Sequence, residues 1–436
     1  MLKTKLKRAA GILLAVSIVI SGVCACTKGD EDKKSKTEGF VPSLDTKKET
    51  TLEIAGYMGN FESLDQVIND FNEYYPNVTI TYEQNDANGL NDYLKNNGYV
   101  DIFMTNESNV RSKDEKEKYV YDYCVDLNKK NINTDEIEPE LLKDCTVDGK
   151  LVRIPLAKNI CGMVVNETLL KKEGLEIPKT YSEFMNTCEV LKEKGYVPIQ
   201  SSKYHVSSDM MLPMAMSILG SNAGLIKKVN SGDGSAAESF RPVYEKLAEI
   251  YKKGYTDQKV NNTYPDDNYD QSILTFFNGN VPFWICTTEC VSGMKKRESK
   301  SESFIKRPFD YKFVNVPMSE DGVYDYEEPW YGFSINKKSD NIEYAVEFLK
   351  FLATNKELNT MAEIKGMPSA AVKSNDERYK EALSPEKEAG KYVNDGEIKM
   401  EVNSAIADVS NEYGNGEIKN VDEAVKALKK RFEEIK

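Results

Sequence analysis

The amino-acid sequence predicts an α/β fold, in which strands alternate with amphipathic helices. From Thr51 onward, short apolar runs are followed by stretches whose apolar residues recur at helical spacing. The clearest helix signal is Thr180 followed by Glu183, which has capping-box spacing and precedes an apolar stripe that closes at Gly195. With 436 residues, the chain is long enough for two domains with separate cores.

The other elements follow from apolar alternation and from helix start signals. Ser63 with Gln66, and Asp340 with Glu343, have capping-box spacing, and each pair predicts the start of a helix. Strands are predicted at 51–55, 78–82 and 101–104, and further helical stretches at 90–96 and 375–436.

Composition and charge exclude several functions. Acidic residues outnumber basic ones, 71 against 58, which gives a formal net charge of −13. Such a surface repels phosphate backbones, so we expect no binding to nucleic acid. His205 is the only histidine, so motifs that need two histidines for a metal cannot form. The sequence also has no nucleotide-binding loop and no serine-hydrolase motif, and it predicts neither a cofactor nor an enzyme.

The N-terminus predicts secretion and lipid anchoring. Residues 1–25 combine a basic start with an apolar run at 9–23 that is too short to span a bilayer comfortably. The small residues before Cys26 resemble a bacterial lipobox, so Cys26 is predicted to carry an acyl anchor such as palmitate. Cys24 is the alternative, but a valine precedes it. The polar stretch 26–50 is predicted to be a flexible tether on the extracellular side of the cell membrane.

Six cysteines follow in the body of the chain, and we expect them to pack in the core. They form no C-x-x-C pair, and no histidines are present to complete a metal site. Their spacing leaves the disulfide state open. They are Cys124, Cys145, Cys161, Cys188, Cys286 and Cys290.

Two acidic pairs could suggest a glycosidase, because such enzymes use paired carboxylates. These are Asp266 with Asp267 and Glu327 with Glu328. In a chain with 71 acidic residues, such pairs arise by chance, and we expect both to be solvated surface groups.

Aromatic, amide and acidic residues in predicted loops are more informative. A sugar presents an apolar ring face and a rim of hydroxyls, so its site combines flat aromatic surfaces with carboxylates and amides. Open α/β sheets bind ligands at the carboxyl ends of their strands, where several of these loops lie. The candidates are Tyr57, Asn60, Glu62, Asn106, Glu107, Tyr204, His205, Trp330 and Tyr331.

Several short motifs, in one order, cover most of 51–371. They include F-N-E-Y-Y-P-N-V from Phe71, Y-V-D-I from Tyr99, D-G-K-L-V-R-I-P from Asp148, V-N-E-T-L-L-K-K-E-G from Val165, I-P-K-T-Y-S-E-F from Ile177, F-F-N-G-N from Phe276, G-F-S-I-N from Gly332 and A-V-E-F-L from Ala345. Together they resemble the extracellular solute-binding proteins of bacterial ABC importers, the family that includes maltose-binding protein.

The resemblance implies a class II, periplasmic-binding-protein-like α/β fold, with mixed sheets, flanking helices and a hinge between two lobes. It implies an N-terminal lobe from 51–158 and 310–365, and a C-terminal lobe from 161–308 and 366–436. A solute, here a carbohydrate and more specifically an oligosaccharide, would lie in the cleft between them. Motif positions add four residues to the candidate ligand-binding set: Asn159, Thr287, Thr288 and Glu289.

The resemblance also implies partners and a mechanism. A monomer would close around its ligand and deliver it to ABC permease subunits and their ATPase. The ligand remains open, because the chain has only two tryptophans, although it has 25 tyrosines. A peptide, a polyamine or a metal complex is the alternative solute, and a surface glycosidase or a sensory binding protein is the alternative function.

Overall fold

Two large β-sheets organise the chain in the computed structural model, which describes residues 40–84, 94, 100–111, 120–202, 205–264, 269–374 and 376–435. Cys26, Cys24, Tyr204 and the pair Asp266 and Asp267 lie outside the described residues, as does the predicted helix at 90–96 apart from Leu94. Among the described helices, none is both long enough and apolar enough to cross a membrane.

The strands and helices alternate as the sequence predicts. The strands are β1 Thr50–Gly56, β2 Val78–Gln84, β3 Ile102–Thr105, β4 Thr146–Val147, β5 Lys150–Leu151, β6 Ile154–Pro155, β7 Lys158–Asn166, β8 Ile199–Gln200, β9 Phe283–Thr287, β10 Tyr311–Val314, β11 Val323–Pro329, β12 Gly332–Ile335 and β13 Glu388–Val393. The helices of the described chain are α1 Glu62–Asn72, α2 Glu107–Arg111, α3 Pro139–Asp144, α4 Glu167–Glu173, α5 Tyr181–Glu193, α6 His205–Gly220, α7 Ala223–Asn230, α8 Arg241–Lys252, α9 Gln258–Asn261, α10 Tyr269–Phe276, α11 Thr288–Ser292, α12 Met294–Glu298, α13 Glu302–Lys306, α14 Ile342–Leu352, α15 Asn355–Lys365, α16 Lys380–Leu383, α17 Met400–Gly414 and α18 Val421–Glu434. Single turns of 3₁₀ helix lie at Val120–Tyr123 and Leu127–Lys129, and a longer one at Gly234–Phe240.

The first sheet has the order β2-β1-β3-β12-β6. Strands β1, β2 and β3 are parallel, and β12 runs antiparallel to both of its neighbours. Helices α1, α14 and α15 cover this sheet, with Phe71, Phe348 and Phe351 in edge-to-face contact. This sheet and its helices form the first lobe.

The second sheet has the order β13-β11-β7-β9-β8, with β10 also paired to β7. All nine residues of β7 are buried, as expected for a central strand covered on both faces. Helix α6 packs against β7, β9, β11 and β13, and α17 packs on α6. This sheet and its helices form the second lobe.

Sheet membership shifts the boundaries expected from the resemblance. Strands β10 and β11 pair within the second sheet, so the chain returns to the first sheet at Gly332 and not near residue 310. Ser369 and Ala371 bridge to Ala157 and Ile137, which keeps this part of the chain with the first lobe beyond residue 365. Strand β13 lies in a stretch predicted to be mostly helical. Its partly exposed position beside β11 leaves it without a strong apolar alternation.

The segment from Phe40 to Thr50 is attached to the first lobe by Phe40 and Ser43, although most of its residues are exposed, whereas the sequence predicts a free tether up to residue 50. The Phe40 ring lies 5.2 Å from that of Tyr74 and 5.0 Å from that of Phe351. Ser43 donates to the Glu347 carboxylate through its backbone N–H and its hydroxyl, both at 2.7 Å. One aromatic side chain and one buried carboxylate therefore bind this polar segment to the first lobe.

The helix starts confirm one capping prediction and correct two. Thr180 accepts a hydrogen bond from the Glu183 N–H and caps α5 as expected. Ser63 does not cap α1, because the helix begins at Glu62 and Ser63 is buried inside it. Helix α14 begins at Ile342, after an Asn341 whose side chain makes no capping hydrogen bond.

The six body cysteines are buried free thiols in the structure. Burial raises the pKa of each, so thiolate chemistry is suppressed. This placement agrees with their predicted core packing.

Glu347 provides a test of the packed N-terminal segment. Its carboxylate is buried and accepts hydrogen bonds from Tyr75 Oη at 2.6 Å and from Ser43. We expect Glu347→Gln to lower the free energy of unfolding by about 1–3 kcal/mol, because charge-assisted hydrogen bonds are lost. Urea unfolding measures this difference. Glu343→Gln is the matched control, since Glu343 is exposed on the same helix. An equal loss in both variants would contradict the assignment.

Candidate ligand-binding site

The candidate site lies where the chain passes between the two sheets. Strand β7 leaves the first lobe at Lys158, and β11 returns to it after Pro329. These strands pair antiparallel, with Asn159 opposite Glu328 and Lys158 opposite Pro329. Residues at this crossing are therefore within reach of both lobes.

Asn159 connects three elements at the crossing, as its predicted position suggests. Its Nδ2 donates to Glu328 Oε1 at 3.0 Å. Its Oδ1 accepts from the Thr288 hydroxyl at 3.2 Å and from the Glu289 N–H at 3.3 Å. The amide thus fixes the start of α11 against the crossing strands. Thr288 is fully buried, so it holds Asn159 in position and is not itself accessible to a ligand. Thr287 is half-buried and lies just before α11.

The pair Glu327 and Glu328 is not a solvated surface pair, which corrects the prediction. Glu327 is fully buried and forms ion pairs with Lys158 and Lys391, the latter also contacting Asp325. Glu328 accepts from Asn159 and from the Tyr326 hydroxyl. Glu327 is buried and Glu328 is half-buried because both lie on β11, which pairs with β7 and β13 on its two sides. Their carboxylates are occupied by hydrogen bonds and ion pairs within the protein. Neighbouring residues of a strand point to opposite faces of the sheet, so the two carboxylates do not form a catalytic pair.

Tyr57 and Tyr331 form an aromatic surface of the first lobe. Their ring centroids are 5.2 Å apart and tilted by 59°, and both side chains are half-buried. The Tyr57 hydroxyl donates to Asn109 Oδ1 at 2.8 Å. Asn106 and Asn109 hydrogen-bond each other's backbone N–H, which holds the start of α2 beside this surface. The structure therefore brings Tyr57, Asn106 and Tyr331 together.

Trp330 extends this surface toward Glu289 of the second lobe. Its ring meets that of Tyr331 edge-to-face at 5.1 Å, and the Lys365 ammonium lies 5.1 Å from its centroid. Burial raises the pKa of Glu289, while the Trp330 N–H, Lys365 and His205 act in the opposite direction. His205 also pairs with Asp209 one turn along α6. Glu289, His205 and Trp330 therefore lie in one electrostatic neighbourhood.

Glu107 connects the lobes at a second point. It forms an ion pair with Arg111 at 3.2 Å and accepts from Asn394 Nδ2, just after β13, at 3.2 Å. Asn394 also donates to Asp144 at 3.4 Å, and Asp144 is paired with the buried Arg153. Burial, together with the negative charge of Asp144, raises the pKa of Glu107 to about 7.

Asn60 and Glu62 are placed differently from the other candidates. Both are exposed, and Asn60 donates to Glu62 at 3.1 Å. Glu62 forms a 2.7 Å ion pair with Lys296 on α12 of the second lobe. Neither contacts the aromatic surface through a described hydrogen bond, so their position favours a role at the lobe boundary.

Sequence reasoning missed Asn109, Lys365 and Asn394. Asn109 follows Asn106 at capping spacing, and this signal could have identified it. Lys365 ends α15 and Asn394 follows β13, and neither belongs to a local pattern that indicates a cleft.

No cluster of potential metal ligands occurs among the described residues. Two surface grooves of about 620 Å³ and 790 Å³ lie elsewhere on the second lobe, and residues of β10 line both. None of the predicted ligand-binding residues lines either groove.

The family model of bacterial extracellular solute-binding proteins matches residues 55–358. The chain belongs to this family. Membership confirms the predicted resemblance and implies an extracellular or periplasmic location. A carbohydrate ABC transporter substrate-binding protein from Streptococcus pneumoniae is 23% identical over 51% of this chain and 44% of its own length. The chain spans about half the length of the curated relatives it matches.

Solved structures share the fold. A sugar transporter protein from Bacillus licheniformis, in complex with stachyose, gives a TM-score of 0.62 at 17% identity, over 88% of this chain and 100% of its own. The sugar-binding protein MalE from Xanthomonas citri gives 0.66 at 16% identity, over 88% of this chain and 97% of its own. The predicted two-lobed class II α/β fold is thereby confirmed.

The raised pKa of Glu107 predicts a pH-dependent stability. Its folded-state pKa of about 7 lies above the ordinary value of 4.5, so the folded protein binds the proton more tightly than the unfolded chain. Stability from this group is therefore lost as pH rises from about 4.5 to about 7. We expect Glu107→Gln to gain roughly 1–3 kcal/mol relative to the wild type between pH 5 and pH 8.

Urea unfolding at these two pH values measures the difference. Glu140→Gln, an exposed change on α3, is the control. Parallel profiles for wild type and Glu107→Gln would contradict the assignment.

Proposed function

We propose that the protein is the extracellular substrate-binding lipoprotein of an ABC importer, which captures a carbohydrate, most readily an oligosaccharide, and delivers it to the permease. The observation that carries this proposal is the aromatic surface of Tyr57 and Tyr331, with the buried Trp330 packed against Tyr331, beside amides and carboxylates at the crossing of the two sheets. Each lobe contributes some of these polar residues.

The site has both components that a sugar requires. Half-buried tyrosine rings offer apolar faces for a pyranose ring, and the hydrogen bond of the Tyr57 hydroxyl to Asn109 holds one of these rings in place. Asn106 and Asn109 lie on one side, with Glu289 and His205 on the other. Amides and carboxylates of this kind accept hydrogen bonds from sugar hydroxyls. The names of the relatives support the same ligand class, since they describe carbohydrate- and sugar-binding proteins.

Capture would proceed by hinge closure. We propose a first lobe from residues 50–157 and 330–372 and a second from 158–329 and 379–435, joined at the β7 and β11 crossings. Ligand contacts with both lobes favour the closed state over the open one. The Glu62–Lys296 and Glu107–Asn394 contacts are the protein's own contribution to closure.

This function needs no covalent step, so we propose that the protein is not an enzyme. Among the described carboxylates near the crossing, those of Glu328, Glu327 and Glu107 are engaged by Asn159, Lys158, Lys391 and Asn394. The groups that act on the fourth, Glu289, are Trp330, Lys365 and His205, and none of them is a second acid of the kind glycosidases use.

Location and partners follow from the N-terminus and the family. We propose that residues 1–25 are a signal peptide, that Cys26 carries the acyl anchor, and that a tether runs from there to Phe40, where packing on the first lobe begins. A monomer held in this way would stay close to its permease subunits and their ATPase.

A ligand screen tests the proposal. The protein beginning at residue 37 retains the packed segment at Phe40 and Ser43. We expect neutral oligosaccharides to raise its melting temperature, because a ligand that binds only the folded state stabilises it. Shifts with polyamines, peptides or iron chelates alone would remove the carbohydrate assignment and leave the two-lobed binder.

Tyr331→Ala tests the aromatic surface with the oligosaccharide that gives the largest shift. We expect it to weaken binding by about 10- to 100-fold, since a stacking face is lost. Tyr196→Ala is the control, because Tyr196 packs with Lys172 and Glu173 before the start of β8. Titration calorimetry measures both, and equal affinities would contradict the site.

Cys26→Ser tests the anchor. We expect this variant to move from the membrane fraction to the medium, because the acylated thiol is absent. Cys24→Ser should remain with the membrane. The reverse result would assign the anchor to Cys24, and retention of both single variants and of the double variant would exclude acylation.

A further inference from the structure

Lys365 is a half-buried cation of the first lobe, and among the described residues no carboxylate forms an ion pair with it within 4 Å. It is the last residue of α15, and Gly366 follows in the left-handed conformation with φ 77°. The side chain extends over the Trp330 ring, at 5.1 Å from its centroid, and its Nζ lies 3.8 Å from Met58 Sδ. Burial lowers the pKa of Lys365, as expected when an ammonium group has lost water without gaining a close carboxylate.

The indole N–H of Trp330 is a second donor without an acceptor. Trp330 is only 4% exposed, and its Nε1 has no hydrogen-bond partner among the described residues. The backbone explains why it is fixed there, because the Trp330 N–H bonds to the Ala157 oxygen at 2.9 Å. A buried donor that has lost water without gaining an acceptor destabilises the unliganded site, so a ligand acceptor at this position would recover that free energy.

Glu289 supplies an acceptor from the opposite lobe. Its backbone N–H is bound by Asn159 Oδ1 at 3.3 Å, which fixes the first turn of α11 beside the crossing. Its carboxylate is near enough to the Trp330 N–H and to Lys365 for both to affect its pKa. It nevertheless does not meet the geometry of a hydrogen bond to the indole or the distance of an ion pair to the lysine. Two donors of the first lobe and one acceptor of the second lobe thus lie within electrostatic reach of one another.

We infer that Lys365, the Trp330 indole N–H and Glu289 form a subsite that binds adjacent hydroxyls of a neutral sugar residue and selects against charged sugars. This inference rests on the proposed carbohydrate function and specifies the ligand at one position. A hydroxyl can donate to Glu289 while it accepts from Lys365 or from the indole. The hydroxyls on one edge of a sugar can therefore form hydrogen bonds with all three groups.

The two charges provide the selectivity. A uronate placed there would be attracted by Lys365 but repelled by the Glu289 carboxylate. An amino sugar would be attracted by Glu289 but repelled by Lys365. Like charges brought together in a partly buried site cost several kcal/mol, whereas a neutral hydroxyl pair meets no repulsion. Because Lys365 and Glu289 belong to different lobes, the same ligand edge would also stabilise the closed state.

Titration calorimetry on single variants tests the subsite. The probes are raffinose, maltotriose and xylotriose as neutral sugars, trigalacturonate as the acidic sugar, and a chitosan trimer as the amino sugar. For the neutral sugar bound best by the wild type, we expect Lys365→Met and Glu289→Gln each to weaken binding at least tenfold, or about 1.4 kcal/mol. Glu289→Gln should reduce the ratio of the affinity for the neutral sugar to that for the acidic sugar. Lys365→Met should reduce the ratio of the affinity for the neutral sugar to that for the amino sugar.

An exposed lysine and an exposed glutamate of the first lobe provide matched controls. Lys373→Met and Glu363→Gln make the same chemical changes outside the cleft and should leave the affinity unchanged. The melting temperature of each unliganded variant shows that it is folded. If the wild type binds a neutral sugar and both cleft variants bind it equally well, the inference is wrong and the proposed function stands. If the wild type binds no sugar of the panel, both are wrong.

Discussion

The antiparallel pairing of β7 with β11 is the constraint on which the candidate site depends. It places Lys158 opposite Pro329 and Asn159 opposite Glu328 at the point where the chain passes between sheets. Immediately beyond this pairing, Trp330 and Tyr331 enter the first lobe, while Asn159 holds α11 in the second. Aromatic faces and polar groups from two separate cores are therefore fixed relative to each other by a few backbone hydrogen bonds.

Burial of charge at this crossing carries a large desolvation cost, which the structure offsets by pairing. Glu327 is fully buried between Lys158 and Lys391, and Lys158 also contacts Glu138 of the first lobe at 2.8 Å. Removing one partner from such a cluster is expected to destabilise a protein strongly, because the others keep their desolvation cost without compensation. Because each charged group needs its own partner, these ion pairs fix how the strands at the crossing align. Hydrophobic contacts of similar size would specify that alignment less strictly.

The contrast between the crossing and the outer lobe contacts is consistent with a protein that opens and closes. Contacts at the crossing are buried and multiple, whereas Glu62 and Lys296 meet in an exposed pair. Exposed pairs contribute about 0–1 kcal/mol, so this contact can form and break without unfolding either lobe. The binding energy of the proposed ligand, which would touch Trp330 and Glu289, would then be available to shift the balance between open and closed states.

The sequence by itself determined the local elements and the family. Thr180 capped its helix as predicted, the first three strands lay within a few residues of their expected bounds, and ordered motifs identified a two-lobed solute-binding protein. Helix caps and strand alternation depend on residues a few positions apart, which sequence patterns record directly.

Only the tertiary structure decided the environment of each candidate. Asn159 and Glu328 are 169 residues apart, yet their contact turned an apparent surface acid into part of the crossing. Lys365 lies beside Trp330 because of the way α15 packs. Phe40 belongs to the core of the first lobe through its contact with Phe351, which is more than 300 residues away in the chain. Burial and electrostatic partners arise from such long-range pairings, so spacing along the chain carries no signal for them.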